Sequence, residues 1–271
     1  MATKERIDVL LVSQGHAQSR EQAKRLVMAG LVFSGTEVVD RPGTKLSVDS
    51  LLTVKGALHP YASRGGLKLE QALRVFPVSL EGKIVLDVGA STGGFTDCAL
   101  QHGAKLVYSV DVGYGQLAWA LRSDERVRVM ERVNFRHADR NWFDPVPTAA
   151  VMDVSFISIT KLFDKLKEIV QPSSPIVTLV KPQFEAGPSA VSKGGIVRDK
   201  DVHTQVLQTI MSRALNVGLC PMGLTFSPIR GGDGNIEFLL WLMIDSSGLS
   251  PSLVTDADIE NIVSLAHAQA K

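Results

Sequence analysis

The stretch from Ile84 to Phe95 constrains the fold of this chain more than any other. An unbroken apolar run leads into a glycine-rich turn and then into a helical pattern. A strand that is apolar on both faces is typical of the centre of a parallel sheet. Gly89, Gly93 and Gly94 allow the backbone to turn tightly and to approach a ligand, with the free amides of the helix start facing it. The stretch therefore predicts an α/β sheet with a nucleotide-type cofactor bound at the end of this strand.

A second acidic residue supports the same site. Asp111 ends the next apolar run, about 24 residues after Asp87, where an acidic group can hold the hydroxyl pair of a ribose. We therefore predict that the cofactor contacts the two strand-end acids and the whole turn: Asp87, Gly89, Ala90, Ser91, Thr92, Gly93, Gly94, Phe95 and Asp111.

The spacing of the turn indicates which cofactor fits. It lacks the second glycine of the dinucleotide fingerprint, which faces a pyrophosphate, so a cofactor without phosphates fits better. S-adenosylmethionine is such a cofactor, and methyltransferases commonly open with an acidic residue two places before the first glycine. An ordinary βα turn without a ligand is the alternative.

Composition limits the class of protein. With 271 residues, 45% hydrophobic and 21% charged, the chain is globular, and no apolar run approaches the roughly 20 residues that cross a membrane. The N-terminus has no signal-peptide core, and Cys98 and Cys220 do not suggest a disulfide framework. We therefore expect a cytoplasmic protein without stable membrane association. The six histidines have no metal-ligand spacing, so we expect no metal.

The front of the chain predicts a small α+β unit with a basic excess. Residues 1–68 carry a net charge of +4 and the remainder −3. The pattern favours a helix from Arg6 to Gln14, a second helix opened by a capping box at 19–22, a hairpin at 31–39 and a strand at 51–54.

Strand and helix patterns alternate from residue 81 onwards, which predicts a mostly parallel sheet. The last two strand patterns, ending at Ser227 and Ile244, have no helix between them, so we expect a terminal antiparallel hairpin. That feature is characteristic of methyltransferases and not of dinucleotide dehydrogenases. The tail is expected to form a peripheral helix capped by Thr255 and Asp258.

Charged residues stand at strand ends where the preceding runs are apolar. Asp153 and Lys181 each follow such a run, and Glu237 lies inside the last one. An ion buried there costs several kcal/mol unless it is paired. With Lys68, which follows in the helix after the front unit, they form two cations and two anions that can neutralise one another. Salt bridges that merely tie strand ends together are the alternative to a catalytic set.

These residues carry a family resemblance. Lys68, Asp153, Lys181 and Glu237 stand in the order of the Lys-Asp-Lys-Glu tetrad of FtsJ-like ribose 2′-O-methyltransferases. The front module resembles the S-four-type RNA-binding domain over about 55 to 60 residues. Together the two parts resemble the TlyA family, haemolysin-like ribosomal RNA methyltransferases, over about 245 of 271 residues.

The resemblance implies a Rossmann-like methyltransferase fold behind a small α+β RNA-binding domain. The expected domains are 1–60 for RNA binding, 61–80 as linker and first catalytic helix, 81–245 for the methyltransferase and 246–271 as tail. The implied reaction is 2′-O-methylation of a ribosomal RNA cytidine, on free RNA or a ribosomal subunit. Two alternatives remain: a membrane-active haemolysin, which no hydrophobic span supports, and a non-catalytic RNA-binding assembly protein, which would not require the tetrad.

The chemistry of the implied reaction, together with the resemblance, suggests roles for single residues. Lys181 is expected to be the base, Asp153 to orient it and contact the cofactor, and Glu237 to hold Lys68 or the ribose. Asn134 is expected near the adenine. The cations expected to face RNA phosphates are Arg6, Arg20, Lys24, Arg25 and Arg64. Without the resemblance, a solvated helix face is the simpler interpretation of these cations.

Overall fold

The computed structural model describes residues 4–28, 30–55, 59–192, 194–231, 234–245 and 252–269. The chain forms two compact units, Met1–Arg64 and Gly65–Lys271. The elements of the first unit are β1 (Lys4–Arg6), α1 (Ile7–Ser13), α2 (Arg20–Met28), β2 (Val32–Ser34), β3 (Glu37–Val38), β4 (Lys45–Ser47) and β5 (Leu52–Val54). Those of the second are α3 (Gly65–Val75), β6 (Ile84–Val88), α4 (Gly94–Gln101), β7 (Leu106–Val110), α5 (Trp119–Arg122), β8 (Val127–Met130), β9 (Ala149–Met152), α6 (Phe163–Ile169), β10 (Pro175–Val180), α7 (Lys200–Asn216), β11 (Leu219–Phe226), β12 (Phe238–Ile244) and α8 (Asp256–Gln269).

The first unit packs two short helices against two small antiparallel sheets, β1–β4 and β3–β2–β5. Its core is formed by apolar residues that recur at helical spacing in α1 and α2, together with Val32 and Leu52 from the strands. The start of α2 differs from the expected capping box. Ser19 Oγ accepts from the Gln22 amide at 3.2 Å, but the Gln22 side chain accepts from the Gln18 amide instead of returning to Ser19.

The second unit is built on a seven-stranded sheet in the order β8–β7–β6–β9–β10–β12–β11. The strands from β8 to β10 are parallel, and β12 runs antiparallel to both of its neighbours. The prediction of a mostly parallel sheet with a terminal antiparallel hairpin is confirmed. Since the order reverses between β6 and β9, the carboxyl ends of these two strands flank a crevice of the kind that binds ligands in α/β proteins.

One predicted helix is shorter than expected. The pattern favours a helix from Gln116 to Leu121, whereas α5 begins only at Trp119. The residues before Trp119 are hydrogen-bonded to the glycine-rich turn instead. The Ala118 amide donates to the Thr92 carbonyl at 3.2 Å, and Ser91 Oγ donates to Gln116 Oε1 at 3.3 Å. Contacts between distant segments therefore outweigh the local helical preference here.

The C-terminal helix α8 packs on the second unit through Ile259, Val263 and Ala266, which are buried. Its start has the predicted cap, because Thr255 Oγ1 accepts from the Asp258 amide at 3.2 Å and the Asp258 carboxylate accepts from the Thr255 amide at 2.8 Å.

Two histidines link this helix to α7. His203 is fully buried, and its Nδ1 lies 2.9 Å from His267 Nε2. Burial, and then the neighbouring His267, lower the pKa of His203 to about 4. The pair therefore stays uncharged at neutral pH, and one ring donates to the other.

We predict that acid weakens the packing of α8. A histidine in the unfolded chain has a pKa near 6.5. Below that pH the unfolded chain therefore binds a proton at this position, whereas the buried ring in the folded protein stays neutral. The contribution of the neutral His203 ring to the free energy of unfolding is intact above about pH 7 and is lost as the pH falls towards 4. The loss amounts to up to about 3 kcal/mol. Urea unfolding of the wild type and of His203→Gln, which cannot be protonated, measures this. Identical pH dependence in the two proteins would contradict the prediction.

Candidate active site

The glycine-rich turn lies directly against the end of a neighbouring strand. Gly89 has a positive φ of 87°, and a Cβ at this position would collide with the Asp153 carbonyl oxygen, so a side chain here is excluded by both backbone conformation and space. Asp111 supports the turn from the other side: its carboxylate accepts from the Ser91 amide at 2.8 Å and from the Gly113 amide at 2.7 Å. These two contacts hold the turn and the following loop in fixed positions.

A cavity of about 340 Å³ opens beside this turn. It is lined by five of the residues predicted for cofactor binding: Gly89, Ser91, Asp111, Asn134 and Asp153. Eleven further lining residues were not predicted: Val88, Val110, Val112, Gln116, Val133, Phe135, Val154, Ser155, Phe156, Ile157 and Leu162. Most of these are apolar and carry no chemical signature in a sequence. A mainly apolar cavity that also includes two acids and amide side chains fits a nucleoside-type cofactor.

The remaining residues predicted for cofactor binding do not line the cavity. Asp87 is fully buried, and its carboxylate accepts from Thr96 Oγ1 at 2.6 Å. Burial, opposed by this hydrogen bond, raises the pKa of Asp87 to about 7. Thr96 Oγ1 is also 2.7 Å from Ser109 Oγ, so the three side chains tie α4 to β6 and β7 beneath the turn. Ala90 and Phe95 are buried as well, Thr92 and Gly93 belong to the turn, and Gly94 begins α4.

The four charged residues of the predicted tetrad form a continuous cluster. Lys181 Nζ lies 2.5 Å from Asp153 Oδ1, and Lys68 Nζ lies 2.6 Å from Glu237 Oε2. A longer contact of 3.9 Å between Lys68 Nζ and Asp153 Oδ2 joins the two pairs. Asp153 and Lys181 directly follow β9 and β10, whereas Glu237 precedes β12, whose reversed direction brings its start to the same edge.

The cluster is buried most deeply at Glu237. This side chain is 2% exposed, and burial raises the pKa of its carboxyl, while the Lys68 ammonium opposes that rise. Gly231 lies close to it, since a Cβ on this residue would lie 2.6 Å from Glu237 Oε1. Ser155, to which the sequence assigned no role, accepts from Lys181 Nζ at 2.9 Å. The Lys181 ammonium is thereby held by two oxygens.

An aromatic pair marks the opening of the site. Phe156 is 91% exposed, has a positive φ of 64°, and its ring centroid lies 5.0 Å from that of Phe184. A bulky residue in this conformation is uncommon and costs energy, so the surrounding structure must hold it there. Glu185 contributes, because its carboxylate accepts from the Ile159 amide at 2.8 Å and thereby joins the loops after β9 and β10.

The cations predicted to face RNA have different contacts in the first unit. Arg6 and Arg20 both donate to Asp8. Lys24 pairs with Glu21 on the surface at 2.7 Å, Arg25 donates to the His59 carbonyl at 3.4 Å, and Arg64 is exposed at the end of the unit. The structure therefore brings Arg6 and Arg20 together on one carboxylate.

Comparison with known proteins places this geometry in context. The sequence matches the FtsJ-like methyltransferase family over residues 61–243 and the S4 domain over residues 5–52. It is 54% identical over 269 residues to YqxC, a candidate rRNA methyltransferase of Bacillus subtilis (strain 168), covering 99% of this chain and 96% of that protein. It is 41% identical over 244 residues to the 16S/23S rRNA (cytidine-2'-O)-methyltransferase TlyA of Mycobacterium tuberculosis, covering 89% and 91%. The resemblance inferred from the sequence is confirmed.

A solved structure agrees over nearly the whole chain. A Streptococcus thermophilus protein, named as a candidate haemolysin, superimposes with a TM-score of 0.78 at 49% identity, covering 99% of this chain and 98% of that one. Among the described helices of the present chain, none is both long and apolar enough to cross a membrane. Nor do the described residues include a group of three or more His, Cys, Asp or Glu side chains that could hold a metal ion.

We predict that Gly89→Ala raises the Kd for S-adenosylmethionine by at least about tenfold, because a Cβ would displace the Asp153 backbone beside the cavity. Gly115→Ala is the matched control: Gly115 also has a positive φ, of 70°, but a Cβ there meets no atom within 4 Å. Calorimetric titration measures both. Equal losses of affinity in the two variants would show that backbone strain, not the Asp153 contact, is responsible.

Proposed function

The chain belongs to the FtsJ-like methyltransferases, and within them to the TlyA family, and we propose that it methylates the ribose 2′-hydroxyl of a cytidine in ribosomal RNA with S-adenosylmethionine as the methyl donor. The observation that carries this proposal is the cluster of Lys68, Asp153, Lys181 and Glu237 beside the cofactor cavity. Simple RNA binding requires no such set. The choice of cytidine is supported by the name of the Mycobacterium tuberculosis relative.

The cofactor would be held by residues that line the cavity. Asp111, at the end of β7, would accept from the ribose hydroxyls, Asn134 would lie near the adenine, and Gly89, which lets the turn approach the Asp153 backbone, would form part of the cavity wall. When bound, the cofactor supplies a methyl group on a positively charged sulfur, which a nucleophile can attack in line.

The protein's own residues would prepare the nucleophile. A ribose hydroxyl is a weak nucleophile, so it must be positioned and its proton must be accepted. Lys181, in its neutral form, would accept that proton at Nζ. Asp153 and Ser155 hold the same nitrogen at 2.5 and 2.9 Å, which fixes its position and stabilises the ammonium once it forms. Lys68 and Glu237 would orient the ribose while neutralising each other.

Phe156 would hold the base of the target nucleotide. Its ring projects into solvent at the rim of the same cavity and packs on Phe184 on one side. An exposed aromatic face next to a site for ribose chemistry suits stacking with an unpaired base, an interaction worth about 1–3 kcal/mol. The S4 domain would supply further affinity for RNA, and ribosomal RNA or a subunit as substrate would place the protein in the cytoplasm.

We predict that Lys181→Ala abolishes methyl transfer and retains cofactor binding, because Lys181 is the proposed base but is not itself among the residues that line the cavity. Transfer of labelled methyl groups to unmodified ribosomal subunits, with mapping of the ribose that resists alkaline cleavage, measures the activity. Lys165→Ala is the control, since that lysine pairs with Glu168 on the surface. Normal turnover by Lys181→Ala would exclude Lys181 as the base.

We predict that Phe156→Ala lowers kcat/KM for RNA about tenfold through lost stacking, while the Kd of S-adenosylmethionine changes little. Phe156→Tyr keeps an aromatic face and should retain most of the activity. If the alanine and tyrosine variants lose activity equally, stacking is not the role of this residue.

A further inference from the structure

A second cavity adjoins the aromatic pair at the opening of the site. It has a volume of about 480 Å³, and its lining residues all belong to the loop after β10: Gln183, Phe184, Gly187, Pro188 and Val191. Phe184 lines this second cavity, Phe156 lines the cofactor cavity, and the centroids of the two rings are 5.0 Å apart. The two cavities are therefore neighbours, each lined by one ring of the pair.

The second cavity is also close to the proposed reaction centre. Its lining begins at Gln183, in the short helical turn Pro182–Phe184 that directly follows Lys181. Because consecutive Cα atoms are about 3.8 Å apart, the Cα atoms of Lys181 and Gln183 lie within about 8 Å of each other. A ribose held at Lys181 thus places the next nucleotide of the same strand within reach of the second cavity.

Gln183 is the only polar side chain among the five lining residues. Its Oε1 is buried and makes no hydrogen bond within the described part of the chain. A buried amide oxygen without a partner is uncommon in proteins, because its lost contact with water is not compensated. The amide group turns readily about the last bond of the side chain, so this oxygen can meet a donor that enters the second cavity.

The loop that lines the second cavity is fixed at its far end. It continues past Val191 to a segment that Asn235, which is 1% exposed, holds with both ends of its amide. Asn235 Nδ2 donates to the Gly195 carbonyl at 2.8 Å, and Oδ1 accepts from the Val197 amide at 2.9 Å. Since Asn235 stands two residues before Glu237, one short segment anchors both this loop and the charged cluster.

We propose that the second cavity binds the base of the nucleotide next to the methylated one in the RNA strand, and that Gln183 hydrogen-bonds to that base. The inference rests on the proposed function, because it takes RNA as the substrate. The volume of about 480 Å³ lies within the range of about 300–1,000 Å³ that is usual for sites of small ligands.

The lining matches the chemistry of a nucleobase. Proteins recognise single-stranded RNA by packing splayed-out bases on aromatic side chains and by hydrogen bonds to the base edges. Phe184 supplies an aromatic ring, Pro188 and Val191 supply apolar contacts, and Gln183 supplies one acceptor and one donor group. Every nucleobase carries an N–H group from which Gln183 Oε1 would accept.

Other parts of the reaction partners fit less well. The second cavity shares no lining residue with the cofactor cavity, so it is not an extension of the cofactor site. No cation stands among its five lining residues, which disfavours a phosphate group. The target base already has an exposed aromatic face at Phe156, which leaves the neighbouring base as the occupant.

Gln183→Met in the full-length protein is the first test. Methionine keeps the size of the side chain but removes the amide, so we expect kcat/KM for unmodified ribosomal subunits to fall about tenfold while the Kd of S-adenosylmethionine is unchanged. Gln171→Met is the matched control. Gln171 is exposed, and its backbone amide donates to the Pro147 carbonyl at 2.9 Å before the start of β9, at the opposite edge of the sheet. Thermal unfolding checks that both variants are folded.

A single abasic nucleotide in the RNA is the second test, and it identifies which base enters. Subunits are reconstituted with ribosomal RNA that is abasic at the methylated nucleotide, at its 5′ neighbour or at its 3′ neighbour. At one neighbour we expect the abasic change to lower kcat/KM about fiftyfold for the wild type and only about fivefold for Gln183→Met. The second loss is smaller because the variant has already lost the hydrogen bonds to that base.

The outcomes separate the inference from the proposed function. Wild-type kinetics in Gln183→Met, or equal losses from each abasic neighbour in the two proteins, would overturn the second cavity as a base site. If Gln183→Met instead couples to the base of the methylated nucleotide, the target base enters the cavity and the inference is also wrong. In all these cases the wild type still methylates ribosomal RNA, and the proposed function stands. Failure of the wild type to methylate unmodified subunits would overturn both.

Discussion

Ions inside a protein must be paired, and the contact between Lys68 and Glu237 meets this requirement at the carboxyl edge of the sheet. It depends on the direction of β12. Because β12 runs opposite to β10, with Phe238 beside Val180, its first residues reach the edge where the parallel strands end. A parallel β12 would place Glu237 at the far edge. The reversed strand and the charged cluster are therefore one architectural feature, which separates this fold from sheets that bind dinucleotides.

Much of this arrangement could be predicted because it depends on local patterns and on one topological rule. Apolar runs that end in Asp153 and Lys181 specify strands with charges at their ends, and the carboxyl ends of parallel strands meet at one edge. The glycine at position 89 predicted a tight turn with a close approach, and the structure shows the turn close to the Asp153 backbone. Such features need no knowledge of side-chain packing, which is why the tetrad could be assembled from sequence order.

Other features could not be predicted, for physical reasons. The strands β1 and β4 are three residues long, too short to show alternation, so it was not recognised that Lys4 and Lys45 share a sheet face with Arg6. Asp8 lies within an ordinary helical pattern, and only the fold reveals that it receives Arg6 and Arg20. The conformation of Phe156 is set by neighbouring loops, not by its own preference. The apolar cavity walls resemble any other core residues until the crevice is seen.

The distances within the cluster have a further consequence for its behaviour during turnover. It consists of two tight pairs, Lys181–Asp153 and Lys68–Glu237, joined by one loose contact of 3.9 Å. Under the proposed mechanism, a proton arriving on Lys181 would alter the charge of the first pair and break no contact in the second, which closes the edge of the sheet. With Lys181 as the base, the protein would gain and release a proton in every catalytic cycle without loosening the contact between Lys68 and Glu237.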